Sequence, residues 1–563
     1  MNNTNFFKDL FFDIKLYFRK SFIIFFSLIL ISAILDFFAV ISFIPIINLL
    51  FPDIVSGGDQ ILQFYIKSFD FFNLEYNTIS LITLIITVFF LVKFIEYSAN
   101  FYSFKIANQV KFKIQKDFLL KLNKCFLSYF VNIRTGEITN LYNREIGIRS
   151  DIYRMFFIII ARLIIFFILL IFLLLNEAYL TTIILSLIIL IIFFMRKFYK
   201  IVETNASGVI NEQKKISSSI TFFVNNIFSI RNSTYEDTQM NEIKKQTDKF
   251  INLSTLNHKY GLMLSSFIEP VFVITIIFTI YIVFMINSEI PTNYIINIAA
   301  LLRFARHFLS IQSFYIKILN WKRYYESTKF HENLLKDFSD DLTNSKEKIS
   351  KISEIEIENL SVSYGNNPIF KDFSINLKTP FTLKLDGKNG TGKTTLVRTL
   401  MGLIKINEGY IKYNKLDLNS LDKKYLTNKI CVLDKNPLII KGSFLDNMQI
   451  NPNKNIEKKD ILKFIENFEL SHIFNANNLE DQIIQEDGKN LSQGQMQKIS
   501  IIRALVNEFE VLVLDEGLSN IDEGNEKKIM SYLIELFNQK KLSLILISHK
   551  SNYDYYFKQK ISL

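Results

Sequence analysis

Residues 387–394 combine glycine, lysine and threonine in a pattern that binds phosphate. They read Gly-Lys-Asn-Gly-Thr-Gly-Lys-Thr, after an apolar strand at 381–386 and before a helical run at 395–401. Glycines let backbone N–H groups point at phosphates, and the start of the helix adds a favourable partial charge. Lys393 then reaches the β- and γ-phosphates, and the Thr394 hydroxyl can ligate Mg²⁺. Strand, loop and helix together indicate a P-loop and argue against a chance glycine-rich turn.

Two further apolar runs end in groups that suit the same chemistry. The run 510–516 ends in Asp515 and Glu516, and a continuous apolar run is typical of a strand buried in a parallel sheet. Acids at the carboxyl end of such a strand lie where ligands bind. Asp515 suits the Mg²⁺ shell, and Glu516 suits a general base for the attacking water. The run 542–548 ends in His549, which alone would be a packing residue but in this series can sense the γ-phosphate.

The order of these features resembles the ATP-binding-cassette (ABC) domain, and the whole chain is similar to a half-size exporter of that family. The stretch 491–495, Leu-Ser-Gln-Gly-Gln, resembles the signature motif, and 519–522 matches the D-loop with Asp522. The resemblance implies ATP and Mg²⁺ as cofactors, Glu516 and His549 as catalytic residues, and Thr394 and Asp515 as metal ligands. The implied ATP-binding residues are Tyr364, which would stack on adenine, Gly387, Asn389, Gly390, Thr391, Gly392, Lys393, Thr394, Thr395, Ser492, Gln493, Gly494 and Gln495.

Two positions depart from the family pattern. The second signature glycine is replaced by Gln493, although Ser492 and Gly494 remain, so phosphate contact should survive. The Q-loop glutamine falls on Lys435, which cannot ligate Mg²⁺ while charged but can contact phosphate. The neighbouring Asp434 could substitute as the ligand. The lysine therefore bears on coupling efficiency more than on ATP binding.

The first 320 or so residues carry the apolar bias of the chain. Of 563 residues, 49% are hydrophobic and 56 are Phe, and the apolar ones are crowded into long runs before residue 320. A span needs about 20 apolar residues to cross a bilayer. Six candidate spans follow, at 21–50, 79–104, 155–175, 178–198, 262–286 and 292–318.

Basic residues fix the predicted orientation. Lys and Arg precede the first span and follow the second and fourth, whereas the loop 52–77 is acidic. By the positive-inside rule both termini and the ATPase domain are cytoplasmic, in a multi-pass protein of the cell inner (cytoplasmic) membrane. The net charge of +11 is explained by these loops and by biased composition. No nucleic-acid motif is found, so no nucleic-acid partner is expected, and the two cysteines predict no disulfide.

The predicted fold is therefore a six-helix α-helical transmembrane domain of the ABC exporter type joined to an α/β P-loop ATPase domain with a helical subdomain. The transmembrane domain covers 1–325, a charged linker 326–351 and the nucleotide-binding domain 352–563. The polar stretches 105–155 and 199–260 predict helices that continue into the cytoplasm. They should turn back at short cross-helices near 129–137 and 222–231, which resemble the family's coupling regions.

Charged residues inside the predicted spans have two interpretations, because burying them in lipid is costly. The structural one is helix–helix ion pairing or snorkelling. The functional one places Arg303 and Arg306 in a substrate cavity facing an anionic head group, since arginine binds phosphate strongly. Asp36 and Glu269 are the candidate pairing partners. These charges, with the stretch 52–77 as a candidate external helix, are similar to bacterial lipid-linked oligosaccharide flippases.

The predicted function is ATP-driven export or flipping of an amphipathic substrate, in the lipid bilayer, by a dimer. One chain holds one P-loop and one signature, and in this family each ATP lies between those of two subunits. A homodimer is simplest, and a heterodimer stays open because of Lys435. The substrate could be a lipid-linked oligosaccharide; the alternative is a peptide or hydrophobic compound. A rival of another class is an ATP-gated channel or regulator with weak hydrolysis, which Glu516 argues against.

Overall fold

The computed structural model divides the chain into two compact units. It describes residues 3–42, 45–46, 59–71, 73, 75–133, 135–176, 178–267, 269–270, 273–274, 276–278, 281, 285, 292–338, 347–364, 367–388, 390–449, 456–475, 479–548 and 551–563. The first unit comprises Met1–Asn123 and Ile133–Asp337, and the second comprises Lys124–Asn132 and Phe338–Leu563. We call them the membrane unit and the ATPase unit.

The membrane unit consists of helices, several of them more than 30 residues long. Its described helices are α1 (Asn3–Ile41), α2 (Asp59–Phe71), α3 (Thr78–Leu122), α5 (Thr135–Asn140), α6 (Ile146–Asn176), α7 (Ala178–Asn225), α8 (Ile227–Arg231), α9 (Glu236–Ser266) and α10 (Thr292–Asp337); α4 (Leu127–Asn132) belongs to the ATPase unit. A π-helical turn, Leu141–Glu145, joins α5 to α6. Helix α10 continues into the predicted linker as far as Asp337.

Within the described residues, two helical stretches are long and apolar enough to cross a membrane. They are Thr78–Leu122 and Thr135–Leu175, and a shorter apolar stretch covers Ile23–Asp36. Ten of the 25 residues of the predicted fifth span, 262–286, lie outside the described residues. The count of six spans therefore stays a prediction.

Local sequence signals account for the observed helix ends. Helix α3 begins after Asn77, whose side chain accepts a 2.9 Å hydrogen bond from the Ser80 N–H, while the Ser80 hydroxyl accepts one from the Asn77 N–H. This reciprocal capping satisfies donors that a helix start leaves free. Helix α6 ends at Asn176, and helix α7 begins at Ala178. The Thr181 hydroxyl donates to the Leu173 carbonyl at 2.9 Å and ties the two helices together.

Short helices interrupt the long ones where the cross-helices were predicted. Helices α4 and α5 fall within or beside 129–137, and α8 falls within 222–231. The first of them, α4, packs against other residues of the ATPase unit, to which it belongs. The Leu127 N–H donates to the Leu403 carbonyl at 2.8 Å, and the Lys423 ammonium lies 4.7 Å from the centre of the Phe126 ring.

A buried ionic cluster joins three helices of the membrane unit. Arg149 of α6 is fully buried and bonds Asp13 of α1 at 2.8 Å and Glu332 of α10 at 2.6 Å. Asp13 also accepts hydrogen bonds from the Tyr153 hydroxyl at 2.7 Å and the Lys329 ammonium at 2.6 Å. Burial alone would raise the pKa of Asp13, but the cations Arg149 and Lys329 outweigh it and hold that pKa below its ordinary value. We call these five residues the Arg149 cluster.

The ATPase unit is built on two sheets. Strands β1 (Glu354–Tyr364), β2 (Asn367–Lys378), β4 (Glu408–Tyr413) and β5 (Leu416–Asp417) form an antiparallel sheet in the order β2-β1-β4-β5. Strands β3 (Thr382–Asp386), β6 (Ile430–Asp434), β7 (Val511–Asp515), β8 (Ser543–Ile547) and β9 (Gln559–Ser562) form a parallel sheet in the order β6-β7-β8-β3-β9. Every residue of β7 and β8 is buried, as their continuous apolar runs predict.

Helices cover the parallel sheet and form a separate helical layer. They are α11 (Lys393–Leu400), α12 (Lys423–Thr427), α13 (Phe444–Met448), α14 (Lys458–Asn467), α15 (Gln493–Val506) and α16 (Glu523–Asn538). One apolar core joins the antiparallel sheet to α11 and one face of the parallel sheet. A second core joins the other face to α13, α14, α15 and α16. Both cores support the carboxyl edge of the parallel sheet, where the candidate site lies.

Candidate functional site

The P-loop joins β3 to α11 in a conformation that glycine makes accessible. Gly390 and Gly392 have φ angles of +86° and +97°, in the left-handed region that side chains with a Cβ rarely adopt. A Cβ on Gly392 would also lie 2.5 Å from the side chain of Ile369. The loop therefore needs glycine here, and Gly392 serves as the N-cap of α11. Backbone N–H groups at such a helix start form an anion site.

Lys393 lies folded back over the P-loop. Its ammonium donates to the carbonyls of Gly387 and Lys388 at 2.7 and 2.9 Å, and only 8% of the residue is exposed. A buried ammonium needs acceptors, and the loop carbonyls supply them. The same cation lies at the loop that would receive phosphates. Thr391 closes the loop, because its hydroxyl donates to the Lys388 carbonyl at 3.1 Å.

A hydrogen bond brings the P-loop and strand β7 together. The Thr394 hydroxyl donates to the Asp515 carboxylate at 2.7 Å, and Asp515 is 8% exposed. Two convergent oxygens of these types fit Mg²⁺, which prefers oxygen ligands and keeps water and phosphate oxygens in its remaining positions. No group of three or more His, Cys, Asp or Glu among the described residues forms a protein-only metal cage. The residues present therefore fit a magnesium ion shared with nucleotide phosphates.

Three carboxylates meet at the carboxyl edge of the parallel sheet. Asp434 at the end of β6 pairs in register with Asp515 at the end of β7, and Glu516 follows directly. Burial, and next the Asp515 charge, raise the pKa of Asp434. Glu516 has a φ of +55°, a strained value for a residue with a side chain. Such strain is typical of functional sites and agrees with the predicted role of Glu516.

Lys435 lies next to Glu516. Its ammonium is 3.7 Å from the Glu516 carboxylate, and the two side chains are 57% and 39% exposed. The position predicted for a Q-loop glutamine thus carries a cation that contacts the candidate base. Among the described residues, Lys435 forms an ion pair with Glu516 and none with Asp515.

The signature stretch forms the start of α15. The Ser492 side chain accepts a hydrogen bond from the Gln495 N–H at 3.2 Å, and the Gln495 side chain accepts one from the Ser492 N–H at 2.8 Å. Gln493 is exposed, and a Cβ on Gly494 would lie 2.6 Å from the Asn520 carbonyl. Gly494 therefore permits close packing on the D-loop. The helix start that could bind phosphate faces outward from the ATPase unit.

The D-loop aspartate caps the next helix. The Asp522 carboxylate accepts a hydrogen bond from the Asn525 N–H at 3.0 Å at the N-cap of α16. Lys498 lies 3.9 Å from the same carboxylate. Asp522 is thus held in place by its own helix rather than left free to move.

Gln497 is a residue that the sequence analysis missed. It is fully buried, donates to the Lys435 carbonyl at 2.9 Å and accepts from the Asn520 N–H at 3.0 Å. It therefore ties the Lys435 loop to the D-loop through one amide. Arg503 on the same helix bonds the carbonyls of Asn447 and Leu438 at 2.5 and 2.7 Å. Its burial and both hydrogen bonds depend on tertiary packing, so the sequence carried no local signal for this role.

Some predicted site residues lie at or beyond the limits of what is described. Tyr364 ends β1, and its side chain is outside the described set, as are Asn389 and His549. Thr395 lies in the first turn of α11, and its carbonyl accepts from the Thr399 hydroxyl at 2.7 Å. The predicted roles of these residues stay predictions.

In the membrane unit, Arg303 is paired with Asp36, as the ion-pair interpretation predicts. The distance is 2.5 Å, and Arg303 also donates to the Asp36 carbonyl at 2.7 Å. His307 lies 3.6 Å from the same carboxylate. Arg162 bonds Glu96 at 2.9 Å and lies 3.5 Å from the His307 ring. These contacts connect α1, α3, α6 and α10 at the level of the predicted spans.

Arg306 differs from Arg303. It is exposed, and no ion pair to it occurs among the residues that the structure describes. Glu269, the second candidate partner, is also exposed. The two arginines therefore do not act as one cluster within a chain.

Comparisons with known proteins agree on the family. The model described as "ABC transporter transmembrane region" matches residues 22–304, and the model described as "ABC transporter" matches 370–519. A solved structure of a bacterial Atm1-family ABC exporter with ATP bound has a TM-score of 0.79 and 14% identity, covering 97% of this chain and 93% of that one. At this identity the likeness shows the fold: a transmembrane domain with a nucleotide-binding domain.

Curated relatives are similar over about a third of the chain. The lactococcin-A transport/processing ATP-binding protein LcnC of Lactococcus lactis subsp. lactis is 32% identical over 203 residues, 35% of this chain and 28% of its own length. The sublancin-168-processing and transport ATP-binding protein SunT of Bacillus subtilis (strain 168) is 30% identical over 224 residues, 38% of this chain and 31% of its own. The multidrug resistance-like ATP-binding protein MdlB of Buchnera aphidicola is 31% identical over 211 residues, 37% of this chain and 35% of its own.

The match to these relatives thus spans about a third of their length or less, between 28% and 35%. The transmembrane-region model alone covers half of the chain, and the second model covers the P-loop, the signature, Asp515 and Glu516. The chain belongs to the ABC transporter family.

Proposed function

We propose that the chain is the subunit of a dimeric exporter driven by ATP hydrolysis. The observation that carries this is the 2.7 Å hydrogen bond between Thr394 and Asp515, which brings the phosphate loop to the carboxylate strand. With Lys393 at the loop and Glu516 next to Asp515, cation, metal ligands and base converge on one edge. This is the arrangement that phosphoryl transfer to water requires.

The residues have separate roles in the proposed reaction. When ATP binds, the Lys393 ammonium exchanges the carbonyls of Gly387 and Lys388 for phosphate oxygens. The ammonium therefore has hydrogen-bond acceptors both before and after ATP binds. Thr394 and Asp515 would hold Mg²⁺, which supplies charge neutralisation on the phosphates. Glu516 orients the attacking water and accepts its proton. To do so it must leave the ion pair with Lys435.

A second copy of the chain completes each site in this proposal. The signature helix start is exposed at Gln493 and carries backbone N–H groups suited to phosphate. One chain supplies one P-loop and one signature, so a symmetric pair would form two equivalent sites. A homodimer is proposed because Lys393, Asp515 and Glu516 are all present.

For the cargo, the relatives favour a peptide or another amphipathic compound. LcnC is described as a transport/processing protein for lactococcin-A and SunT as one for sublancin-168, and none of the relatives reported above is described as acting on lipid-linked oligosaccharides. The cargo proposed here is accordingly a peptide, moved outward across the inner membrane. The lipid-linked oligosaccharide hypothesis gains no support.

ATP turnover by the purified chain in proteoliposomes tests the enzymatic part. Glu516→Gln should keep MgATP binding and lose about 10²–10⁴-fold in turnover, because a general base contributes that much. Glu510→Gln is the matched control: Glu510 directly precedes β7, bonds Lys429 and the Ile352 N–H rather than the P-loop, and the variant should hydrolyse ATP normally. Turnover by Glu516→Gln at the wild-type rate would refute the assignment of the base. Negligible turnover by the wild type itself would favour the weakly hydrolysing channel or regulator.

Mixing two inactive variants tests the shared site. Lys393→Ala destroys the P-loop, and Gly494→Asp destroys the signature contact. A mixed dimer of these two chains has one site with both parts intact, so activity should return on mixing. No recovery, with mixed dimers demonstrated by differential tags, would place each site within one chain.

A further inference from the structure

A groove between α7 and α10 lies in the membrane unit, away from the ATP site. Its volume is about 750 Å³, within the range of small-molecule sites. One stripe of each helix lines it, at helical spacing. The lining includes Phe193, Arg196 and Lys200 of α7, and Phe308, Ile311 and Gln312 of α10.

The groove changes from apolar to basic along its length. Ile189, Ile192 and Phe193 precede Arg196 and Lys200 on α7. Phe308 and Ile311 precede Gln312 and Tyr315 on α10, and the rings of Tyr199 and Tyr315 meet edge to face at 5.4 Å. Arg196 and Lys200 are four residues apart, so they share one face of the helix. A ligand lying in the groove would therefore meet hydrocarbon at one end and two cations at the other.

No carboxylate of the groove neutralises these cations. Glu203 is the acid that lines it, and Glu203 is already bonded by Lys322 at 2.5 Å. Within the described part of the chain, neither Arg196 nor Lys200 has an ion-pair partner. The basic end of the groove thus carries two uncompensated positive charges, which an anionic group would complement.

The buried side chain of Gln312 lacks one hydrogen-bond donor, which is a second, independent indication of a bound ligand. The residue is 5% exposed, and its amide nitrogen donates to the Leu264 carbonyl at 2.7 Å. Its amide oxygen accepts no hydrogen bond from the described residues. Buried polar atoms nearly always have a partner. A ligand hydroxyl beside the two cations would supply this donor.

We propose that this groove binds an anionic membrane lipid of the cytoplasmic leaflet that carries hydroxyls on its head group. The acyl chain packs on Phe193, Phe308 and Ile311, the phosphate contacts Arg196 and Lys200, and a head-group hydroxyl donates to Gln312. Basic residues after the fourth predicted span place this end at the cytoplasmic face. Basic pockets between membrane helices on that side are suited to anionic head groups.

Photocrosslinking with two lipid probes tests the site. Phosphatidylglycerol and phosphatidylcholine with the same diazirine-bearing acyl chain are compared at equal mole fraction in nanodiscs that hold the full chain. Mass spectrometry then counts crosslinks within 189–203 and 308–319. The wild type should favour phosphatidylglycerol, and Arg196→Ala and Lys200→Ala should each reduce the preference about fivefold, the equivalent of ~1 kcal/mol per basic residue near the membrane surface.

Lys197→Ala is the matched control. Lys197 is exposed on the same turn of α7 but does not line the groove, so its loss should leave the preference unchanged. Ile311→Trp fills the apolar end without changing charge, and it should reduce crosslinks of both probes alike. Nucleotide binding by each variant, measured on the same preparation, verifies that the chain is folded.

The proposal is overturned by any of three results. Equal crosslinking of both lipids in the wild type would mean that the groove does not select an anionic head group. An equal loss in Lys197→Ala would mean that only surface charge attracts the lipid. Unchanged crosslink yield in Ile311→Trp, with nucleotide binding intact, would place the bound lipid elsewhere.

Discussion

Replacing Lys435 by glutamine should speed ATP hydrolysis rather than abolish it. The Lys435 ammonium lies 3.7 Å from the Glu516 carboxylate. To act on water, Glu516 must give up this contact, so the pair restrains the candidate base.

The size of the restraint follows from distance and exposure. Two unit charges 3.7 Å apart attract by about 1 kcal/mol in water. Both side chains are more than a third exposed, so solvent screening keeps the pair at or below ~1 kcal/mol. Since 1.4 kcal/mol corresponds to tenfold, Lys435→Gln should raise turnover at saturating MgATP by up to about fivefold.

Lys435→Met separates charge from metal binding. Methionine removes the cation but offers no oxygen to Mg²⁺, so an equal rise in both variants would assign the effect to the charge. The wild type should also gain turnover as salt increases, because salt screens an exposed pair. The assay is steady-state phosphate release from proteoliposomes, together with a nucleotide-binding titration.

A fall of more than tenfold in both variants, with unchanged ATP affinity, would refute this reasoning. It would show that Lys435 takes part in the reaction and does not restrain it. A rise in Lys435→Gln alone would instead indicate that the amide oxygen restores a metal ligand.

Three further predictions concern the P-loop and the membrane unit. Lys393→Ala should weaken ATP binding and end turnover, while Lys388→Ala, exposed in the same loop, should bind ATP normally in the same titration; equal affinities would remove the phosphate role of Lys393. Asp13→Asn should cost about 3–5 kcal/mol of unfolding free energy in detergent, because it removes the carboxylate that pairs with both Arg149 and Lys329 and leaves the buried Arg149 with Glu332 alone. The pKa of Asp13 is lowered in the folded state, so its ionised carboxylate stabilises the fold fully above the unfolded pKa of about 3.9. This contribution is lost as the pH falls through the folded pKa. Asp13→Asn should therefore lack that part of the acid-induced loss of stability. Arg303→Ala should lower the yield of folded protein and Arg306→Ala should not, since Arg303 bonds Asp36 and Arg306 is exposed; equal yields by size-exclusion chromatography would contradict the ion-pair interpretation.

Local patterns predicted the parts of the site that lie close together in the chain. The Gly387–Thr394 motif required a strand, a turn with positive φ and a helix start, and each is found. The continuous apolar run before Asp515 predicted a strand buried on both faces, and every residue of β7 is buried. Such features depend on periodicity and on glycine conformation, which the sequence displays directly.

Contacts between distant residues were harder to predict. Nothing local indicates that Gln497 bonds the Lys435 carbonyl, 62 residues away, or that the Leu127 N–H donates to the Leu403 carbonyl. The Arg303–Asp36 ion pair was one of two interpretations of Arg303. The charge of a residue and its position in a predicted span do not show whether it pairs with Asp36, with Glu269 or with a substrate. The Arg149 cluster was missed entirely, since its members lie in segments that look like ordinary polar helix ends. Pairing of this kind is decided by tertiary packing.

The Arg149 cluster also constrains the order in which the chain can be assembled during synthesis. Arg149 and Glu332 are 183 residues apart, and Asp13 and Lys329 are 316 apart. At a translation rate of about 5–20 residues per second, roughly 10–40 s pass between the synthesis of Arg149 and that of Glu332 in α10. During that interval Asp13, which is already translated, is the carboxylate of the cluster that can pair with Arg149. Glu332 and Lys329 join only after α10 is made, so the cluster that ties α1, α6 and α10 together is completed by the last described helix of the membrane unit.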